Sequence, residues 1–289
     1  MVSIVLPTYN GKEYIRESIE SIINQTYKDW ELIIVDDCSN DGTEALVEKY
    51  TSIDPRIKVI HNEVNRKLPG SLNIGFSHAK GDLFTWTSDD NYYRKYAIEK
   101  MVNFLNHNPN IDIVYTDYEL INEYGTVIGE VNHSPTDNIY QDNIVGACFM
   151  YKRKVHEYLG GYDEHLFLVE DYDFWLRAYE KYKLHSLPEN LYCYRTHSNS
   201  LTGTKMKEIT QITTTVLERI LNNTSLSKAD QIIILKRITL YIYNTSFNQK
   251  KFKYYMQMLR NISFSDYKSS GIHMILWQYF PWLKKHGRD

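Results

Sequence analysis

The residues of this chain best able to do chemistry sit where apolar runs stop. Leu83 to Asn91 reads Leu-Phe-Thr-Trp-Thr-Ser-Asp-Asp-Asn. Its first half alternates as a buried strand does, and it then breaks off at two adjacent carboxylates and an amide. Oxygen-only side chains of this kind suit a hard divalent ion, Mg²⁺ or Mn²⁺, which takes one or two carboxylates and leaves its other positions to phosphate and water. Asp, Asp and Asn also form ordinary turns at strand ends, so the segment needs company before it counts as a site. It has company: Thr8-Tyr9-Asn10, Asp36-Asp37 and His61-Asn62 each follow directly after an apolar run.

The elements between these clusters set their positions. Val2 to Leu6, Glu31 to Val35, Ile57 to Ile60 and the run from Leu83 read as strands. Helical spacing covers Lys12 to about Thr26, a stretch ending near Tyr50, Pro69 to Ala79, and Tyr96 to Asn106; Ile111 to Tyr115 is a fifth strand. Strands alternating with helices predict an α/β fold with a mainly parallel sheet covered on both faces, because right-handed crossovers put the helices there. Ligands of such sheets collect beyond the carboxyl ends of the strands. All four polar clusters are therefore expected at one edge, as a shared site.

Further along, Tyr118 to Val131 reads as a hairpin bending at Asn122-Glu123-Tyr124-Gly125, and Gly146 to Tyr151 as another strand. Gly160-Gly161-Tyr162-Asp163-Glu164 supplies a turn. Glu170-Asp171-Tyr172-Asp173 opens a helix whose Phe174, Trp175, Ala178 and Tyr182 point inward. Acidic residues there favour a helix start, yet they leave one carboxylate to spare. Tyr194-Arg195-Thr196-His197 closes the region with a cation and an imidazole.

Beyond Gly203 the character changes to amphipathic helices: Ile209 to Leu221, a second opened by a Ser227/Asp230 capping box and running to about Phe247, and Lys250 to Ile262. The tail from Ile272 to Leu283 carries Trp277, Tyr279, Phe280 and Trp282 ahead of Lys284, Lys285 and Arg288. An aromatic helix with a basic end suits packing, a second subunit or a membrane surface. The division expected is residues 1–203 and a helical region over residues 204–289.

Composition excludes several classes. The chain has 289 residues, 43% hydrophobic and 24% charged, enough for a sizeable core. A formal net charge of −3 without a run of Lys or Arg offers no nucleic-acid groove. Cys38, Cys148 and Cys193 lack metal-ligand spacing and read as isolated structural thiols. Met1 leads straight into Val-Ser-Ile-Val-Leu, with no charged leader and no apolar run of the ~20 residues a membrane span needs. A cytoplasmic location is expected.

Taken together, Pro7-Thr8-Tyr9-Asn10, Asp36 to Thr43, the Asn73 to Ala79 helix, Asp89-Asp90-Asn91, Gly160 to Glu164, Glu170-Asp171 and Tyr194 to His197 resemble, in order, the inverting family-2 glycosyltransferases of the GT-A fold. The match around Thr87 to Asn91 is similar to the bacterial spore-coat type. The resemblance implies a UDP-sugar donor, Mn²⁺ or Mg²⁺, and a glycan or lipid-linked acceptor in surface polysaccharide synthesis. It implies that Tyr9 stacks on the uracil, Asp37 accepts its ring N–H, Asp89 reaches the ribose, and Thr8, Asn10 and Asn73 join the donor site. Asp90 would hold the metal and Asp171 would be the catalytic base. Arg195 lies near the diphosphate, and His197 touches metal or phosphate. The family's metal motif is usually Asp-any-Asp, and this chain has Ser88 at the first of those places.

The rival readings each lack a signature. Pro-Thr-Tyr-Asn-Gly after the first strand is no dinucleotide-binding Gly-x-Gly-x-x-Gly turn, and no Gly-Lys-Ser/Thr phosphate loop occurs. A sugar nucleotidyltransferase would need a glycine- and arginine-rich first loop. A non-catalytic nucleotide-sugar or glycan-binding module has no use for both Asp90 and Asp171.

Overall fold

The computed structural model describes residues 1–134, 137–198, 200–222, 226–245 and 249–263. The chain forms two compact units, Met1–Met206 and Lys207–Asp289.

In the first unit β1 (Val2–Thr8) is buried along its whole length, as an apolar run in a doubly covered sheet must be. α1 (Ile15–Ile23) turns Ile15, Ile19 and Ile22 inward, and Ser18 on the same face donates to the Ser88 carbonyl at 3.1 Å. Then follow β2 (Trp30–Asp36), α2 (Thr43–Ile53), β3 (Ile57–His61), α3 (Lys67–Ser77) and β4 (Leu83–Trp86). Pro69 lies in the first turn of α3, where its missing N–H costs nothing. Gly75 lets α3 settle on β1, since a Cβ there would come within 2.5 Å of Val5 Cγ1.

β5 (Tyr92–Tyr93), α4 (Ala97–His107), β6 (Ile113–Ile121), β7 (Val127–Val131), β8 (Phe149–Lys152), α5 (Arg153–Leu159), α6 (Glu170–Tyr179) and β9 (Leu184–Arg195) complete the sheet, and the short α7 (Leu201–Thr204) follows. The strand order is β3-β2-β1-β4-β8-β6-β9-β5, with β7 paired to β6. The β3-β2-β1-β4 half is all parallel, as expected. The other half is mixed: β8 runs antiparallel to both β4 and β6, whereas β6 and β9 are parallel.

From β1 the chain steps outward to β2 and β3, then returns to lay β4 on the other side of β1. The carboxyl ends of β1 and β4 therefore flank the point where the strand order reverses, which is where crevices open in such sheets. Phe174 and Trp175 of α6 are fully buried against the far half, and Phe174 stacks on Tyr162 with centroids 4.6 Å apart.

The Tyr118–Val131 hairpin forms as expected, Tyr118 facing Val131 across the turn. β9 was not among the expected strands, because Pro188 and Glu189 interrupt its pattern. The structure accommodates them by a slip in register: Thr116 faces Leu187 but Asp117 faces Asn190, so the residue without an N–H is bulged out of the ladder.

In the second unit α8 (Met206–Leu221), α9 (Lys228–Thr245) and α10 (Gln249–Ser263) appear where amphipathic spacing puts them. Ser227 caps α9, its Oγ accepting the Asp230 N–H at 3.1 Å and donating to the Asp230 carboxylate at 2.6 Å. Phe247 and the aromatic, basic tail from Ile272 to Leu283 lie outside the described residues. No helix among the described residues is long and apolar enough to cross a membrane.

One tie on the sheet's edge is sensitive to pH. His61 at the end of β3 bridges Asp36 Oδ2 (3.2 Å) and Glu48 Oε1 (2.7 Å). Burial lowers its pKa, but the hydrogen bonds to Glu48 and Asp36 outweigh that and leave it raised. A raised folded pKa means stabilisation that is complete below the unfolded value of about 6.5 and is lost as pH climbs through the folded value. His61→Gln should therefore lower the melting temperature clearly at about pH 5.5 and much less at about pH 8.5; an equal loss at both would show that the bridge is not charge-assisted.

Candidate active site

The edge of the sheet at the reversal point is built from side chains that hold one another. Thr8 Oγ1, at the end of β1, donates to Asp89 Oδ2 at 2.5 Å. Gly11 completes that contact, since a Cβ at position 11 would land on the same carboxylate oxygen. Asn10, in the left-handed region at φ 56°, stitches the loop after β1 to the loop after β2: its N–H donates to Ser39 Oγ, and its Oδ1 accepts from the Asn40 N–H, both at 2.9 Å. Thr8 and Asn10 thus shape the donor edge through protein contacts.

Tyr9 between them presents its ring outward, 53% exposed. Asp37, continuing from β2, is buried and takes the Asn62 amide (2.8 Å) and the Arg66 N–H (2.7 Å), both on Oδ1. Its Oδ2 accepts no hydrogen bond from the described residues. Burial, then the adjacent Asp90 charge, pushes the Asp89 carboxyl up to about 7, against the pull of the Thr8 hydroxyl and the Tyr9 N–H.

Asp90 differs from its neighbour. Its Oδ2 meets His197 Nε2 at 3.0 Å, while Oδ1 is buried with no partner among the described residues. A buried carboxylate oxygen without a donor is costly in a protein, and a cation is the partner that removes the cost. No group of three or more His, Cys, Asp and Glu gathers as a metal cluster among the described residues. One carboxylate with an imidazole beside it fits an ion that takes its remaining ligands from phosphate and water, as Mn²⁺ and Mg²⁺ do.

Arg195 is held by the protein itself. The resemblance puts it near the diphosphate. Its guanidinium is instead 98% buried and spent on protein: Nε donates to the Asp90 carbonyl (2.9 Å), Nη1 to the carbonyls of Asn122 (3.2 Å) and Glu123 (3.1 Å), and Nη2 to the Glu17 carboxylate. Its backbone N–H donates to Asn91 Oδ1 at 2.7 Å, and Tyr14 lies under the guanidinium at 4.5 Å. Four of its five donors are used, so it places Asp90 instead of facing a ligand. Asn73 is likewise engaged by the protein. Its amide exchanges two bonds with the Tyr162 backbone, at 2.8 and 2.9 Å, and pins α3 to the Gly160–Glu164 turn.

Asp171 opens α6, where Leu168 at φ 83° turns the chain into the helix. Its Oδ1 accepts the Tyr172 N–H (2.6 Å) and its Oδ2 the Asn143 amide (2.9 Å). Burial raises its pKa, and those two bonds oppose the rise. Glu170 beside it is 3% exposed, with Oε2 unpaired; burial first and the Asp171 charge second push it up to about 8. The phenol of Tyr194 is raised first by burial, with Thr202 opposing, and then by the charges of both Asp90 and Asp171. Asn143 carries no motif signal, lying in a stretch without periodicity before β8, and Glu17 reads from sequence as an ordinary solvent-facing residue of α1.

Comparison with known proteins shows the family. Residues 3–160 match Glycosyl transferase family 2. EpsE of Bacillus subtilis (strain 168), provisionally named a glycosyltransferase, is 33% identical over 206 residues, spanning 69% of this chain and 74% of that protein. TuaG of the same organism, provisionally named a teichuronic acid biosynthesis glycosyltransferase, is 28% identical over 211 residues, spanning 72% of this chain and 83% of that protein. Among solved structures, S. aureus TarS 1-349 in complex with UDP superposes with a TM-score of 0.67 at 20% identity, covering 86% of this chain and 73% of that one. The mannosyltransferase PcManGT from Pyrobaculum calidifontis, in complex with GDP-Man and Mn²⁺, gives 0.66 at 17%, covering 98% and 82%. At such identities the likeness concerns fold, and the fold is the GT-A architecture expected from the sequence. The chain belongs to glycosyl transferase family 2.

Removing the guanidinium should be severe. Arg195→Leu leaves three carbonyls unsatisfied and is expected to lower the unfolding free energy by about 3–5 kcal/mol in urea melts. Arg195→Lys should recover little, because a single ammonium cannot span the same acceptors. A loss below about 1 kcal/mol would show that these contacts do not anchor the edge.

Proposed function

We propose that this family-2 member is a metal-dependent, inverting glycosyltransferase that moves a sugar from a nucleotide-sugar, a UDP-sugar foremost, to a glycan or lipid-linked acceptor in bacterial surface polysaccharide synthesis. The observation that carries the proposal is the buried oxygen of Asp90 at the strand-order reversal, which has no partner among the described residues. The complexes of TarS with UDP and with UDP-GlcNAc, that of PcManGT with GDP-Man and Mn²⁺, and the provisional naming of TuaG for teichuronic acid biosynthesis support the donor, metal and acceptor classes.

In this reading the exposed ring of Tyr9 stacks on the base, and the free Oδ2 of Asp37 accepts a base N–H. Asp90 and His197 hold Mn²⁺ or Mg²⁺, which supplies positive charge against the departing diphosphate. Asp171 takes the proton of an acceptor hydroxyl as that oxygen bonds to the anomeric carbon and the bond from that carbon to the diphosphate oxygen breaks. Attack opposite the leaving group inverts the configuration. A carboxylate that burial has raised, while two N–H groups hold its orientation, is suited to this step. Residues 1–203 carry catalysis, and residues 204–289 serve packing, dimerisation or contact with the inner face of the membrane, consistent with a cytoplasmic enzyme.

Two variants separate the roles. Asp171→Asn should bind UDP with Mn²⁺ as tightly as wild type while losing about 10²-fold or more in UDP release from the nucleotide-sugar that a donor panel selects; near-normal turnover would sink the base assignment. Asp90→Ala should abolish the Mn²⁺ dependence of UDP binding in calorimetry, and a dependence left intact would move the metal elsewhere.

A further inference from the structure

Residues 137–148, ahead of β8, belong to neither sheet nor helix, yet they are anchored at several points. Ile139, Tyr140 and Val145 are buried, and Tyr172 of α6 donates its hydroxyl to the Ile139 carbonyl at 2.6 Å. Asn143 lies between these anchors, with its backbone N–H on Asp142 Oδ1 at 2.8 Å. Its amide N–H reaches Asp171 Oδ2 at 2.9 Å, and its own Oδ1 is buried with no partner among the described residues. As a structural filler this is a poor residue, since an apolar side chain of the same volume would leave no orphaned carbonyl. The contact with Asp171 is what the amide gains by being there.

We infer that Asn143 is a positioning residue for Asp171: it fixes one carboxylate oxygen from outside α6, so that the orientation of the base is set jointly by the helix and by the segment before β8. The inference rests on the reading of Asp171 as the base. It adds a control point that lies outside the family's carboxylate motif. Several groups face Asp171: Glu170 on its own helix, Tyr118 from β6, Tyr194 from β9 and Tyr162 from the turn before α6. Glu170 and the three phenols give Asp171 no compensating positive charge. The N–H donors that favour its ionised form are Asn143 and the backbone at its own helix start. Removing Asn143 therefore drives the titration of Asp171 upward.

The test compares Asn143→Leu, which keeps volume and removes the donor, with Asn143→Asp, which keeps shape and replaces the donor by a like charge. Carboxyl ¹³C NMR of the aspartate-labelled full chain, with Asp171 identified by its absence in Asp171→Asn, reads the titration without any substrate. An upward shift of about one pH unit is expected for Asn143→Leu and a larger one for Asn143→Asp. The acid limb of nucleotide-sugar turnover should move with it, while UDP affinity in Mn²⁺ stays at the wild-type value. An unmoved Asp171 titration overturns the inference, as does a moved titration with an unmoved acid limb. Thermal melts report folding, and if Asn143→Leu does not fold, Asn143→Asp decides alone. Failure of the base assignment itself is seen separately, as turnover surviving in Asp171→Asn.

Discussion

A single buried guanidinium joins the parts of this site. Arg195 ends β9, yet its donors reach the loop after β4, the turn of the β6–β7 hairpin and, through Glu17, the helix after β1. Peptide carbonyls removed from water need donors, and a planar fork can serve several at once. The backbone of Asp90 is therefore held from behind, while its side chain is left with one oxygen unpaired. An anchoring residue and a ligand residue are different jobs, and here adjacent elements divide them.

The same division recurs at the other carboxylates. Asp89 is tied to Thr8, and Asp171 to Asn143, each by a neutral donor from a distant element. Neutral donors orient a carboxylate without cancelling its charge, which an Arg or Lys partner would do. Desolvation then does the remaining work: Asp89 is pushed up to about 7 and Glu170 to about 8. The region is acidic, an environment in which a divalent ion and a base can each act.

Much of this was legible in the sequence because it follows from local rules. Alternating apolar runs ending in Thr8, Asp37 and Asp89 predict parallel strands, and parallel strands bring their carboxyl ends to one edge. The hairpin at Asn122–Gly125 and the Ser227 cap are equally local. Roles were harder than places. Thr8, Asn10, Asn73 and Arg195 all lie near the expected edge, but their side chains are engaged by partners 30 to 178 positions away in sequence, and no motif states which hydrogen bonds a side chain has left. β9 escaped notice because Pro188 breaks the pattern that a bulge then repairs.

What the sequence by itself determined is the class of fold and the identity of the groups at its edge, since side-chain periodicity and strand-end chemistry are properties of short segments. Only the tertiary structure decided which of those groups are free. Whether Asp37 keeps an unengaged oxygen, whether Arg195 faces a ligand or the peptide backbone, and whether Asn143 touches Asp171 all depend on desolvation and on contacts between segments far apart along the chain, and these exist only once the sheet has closed around them.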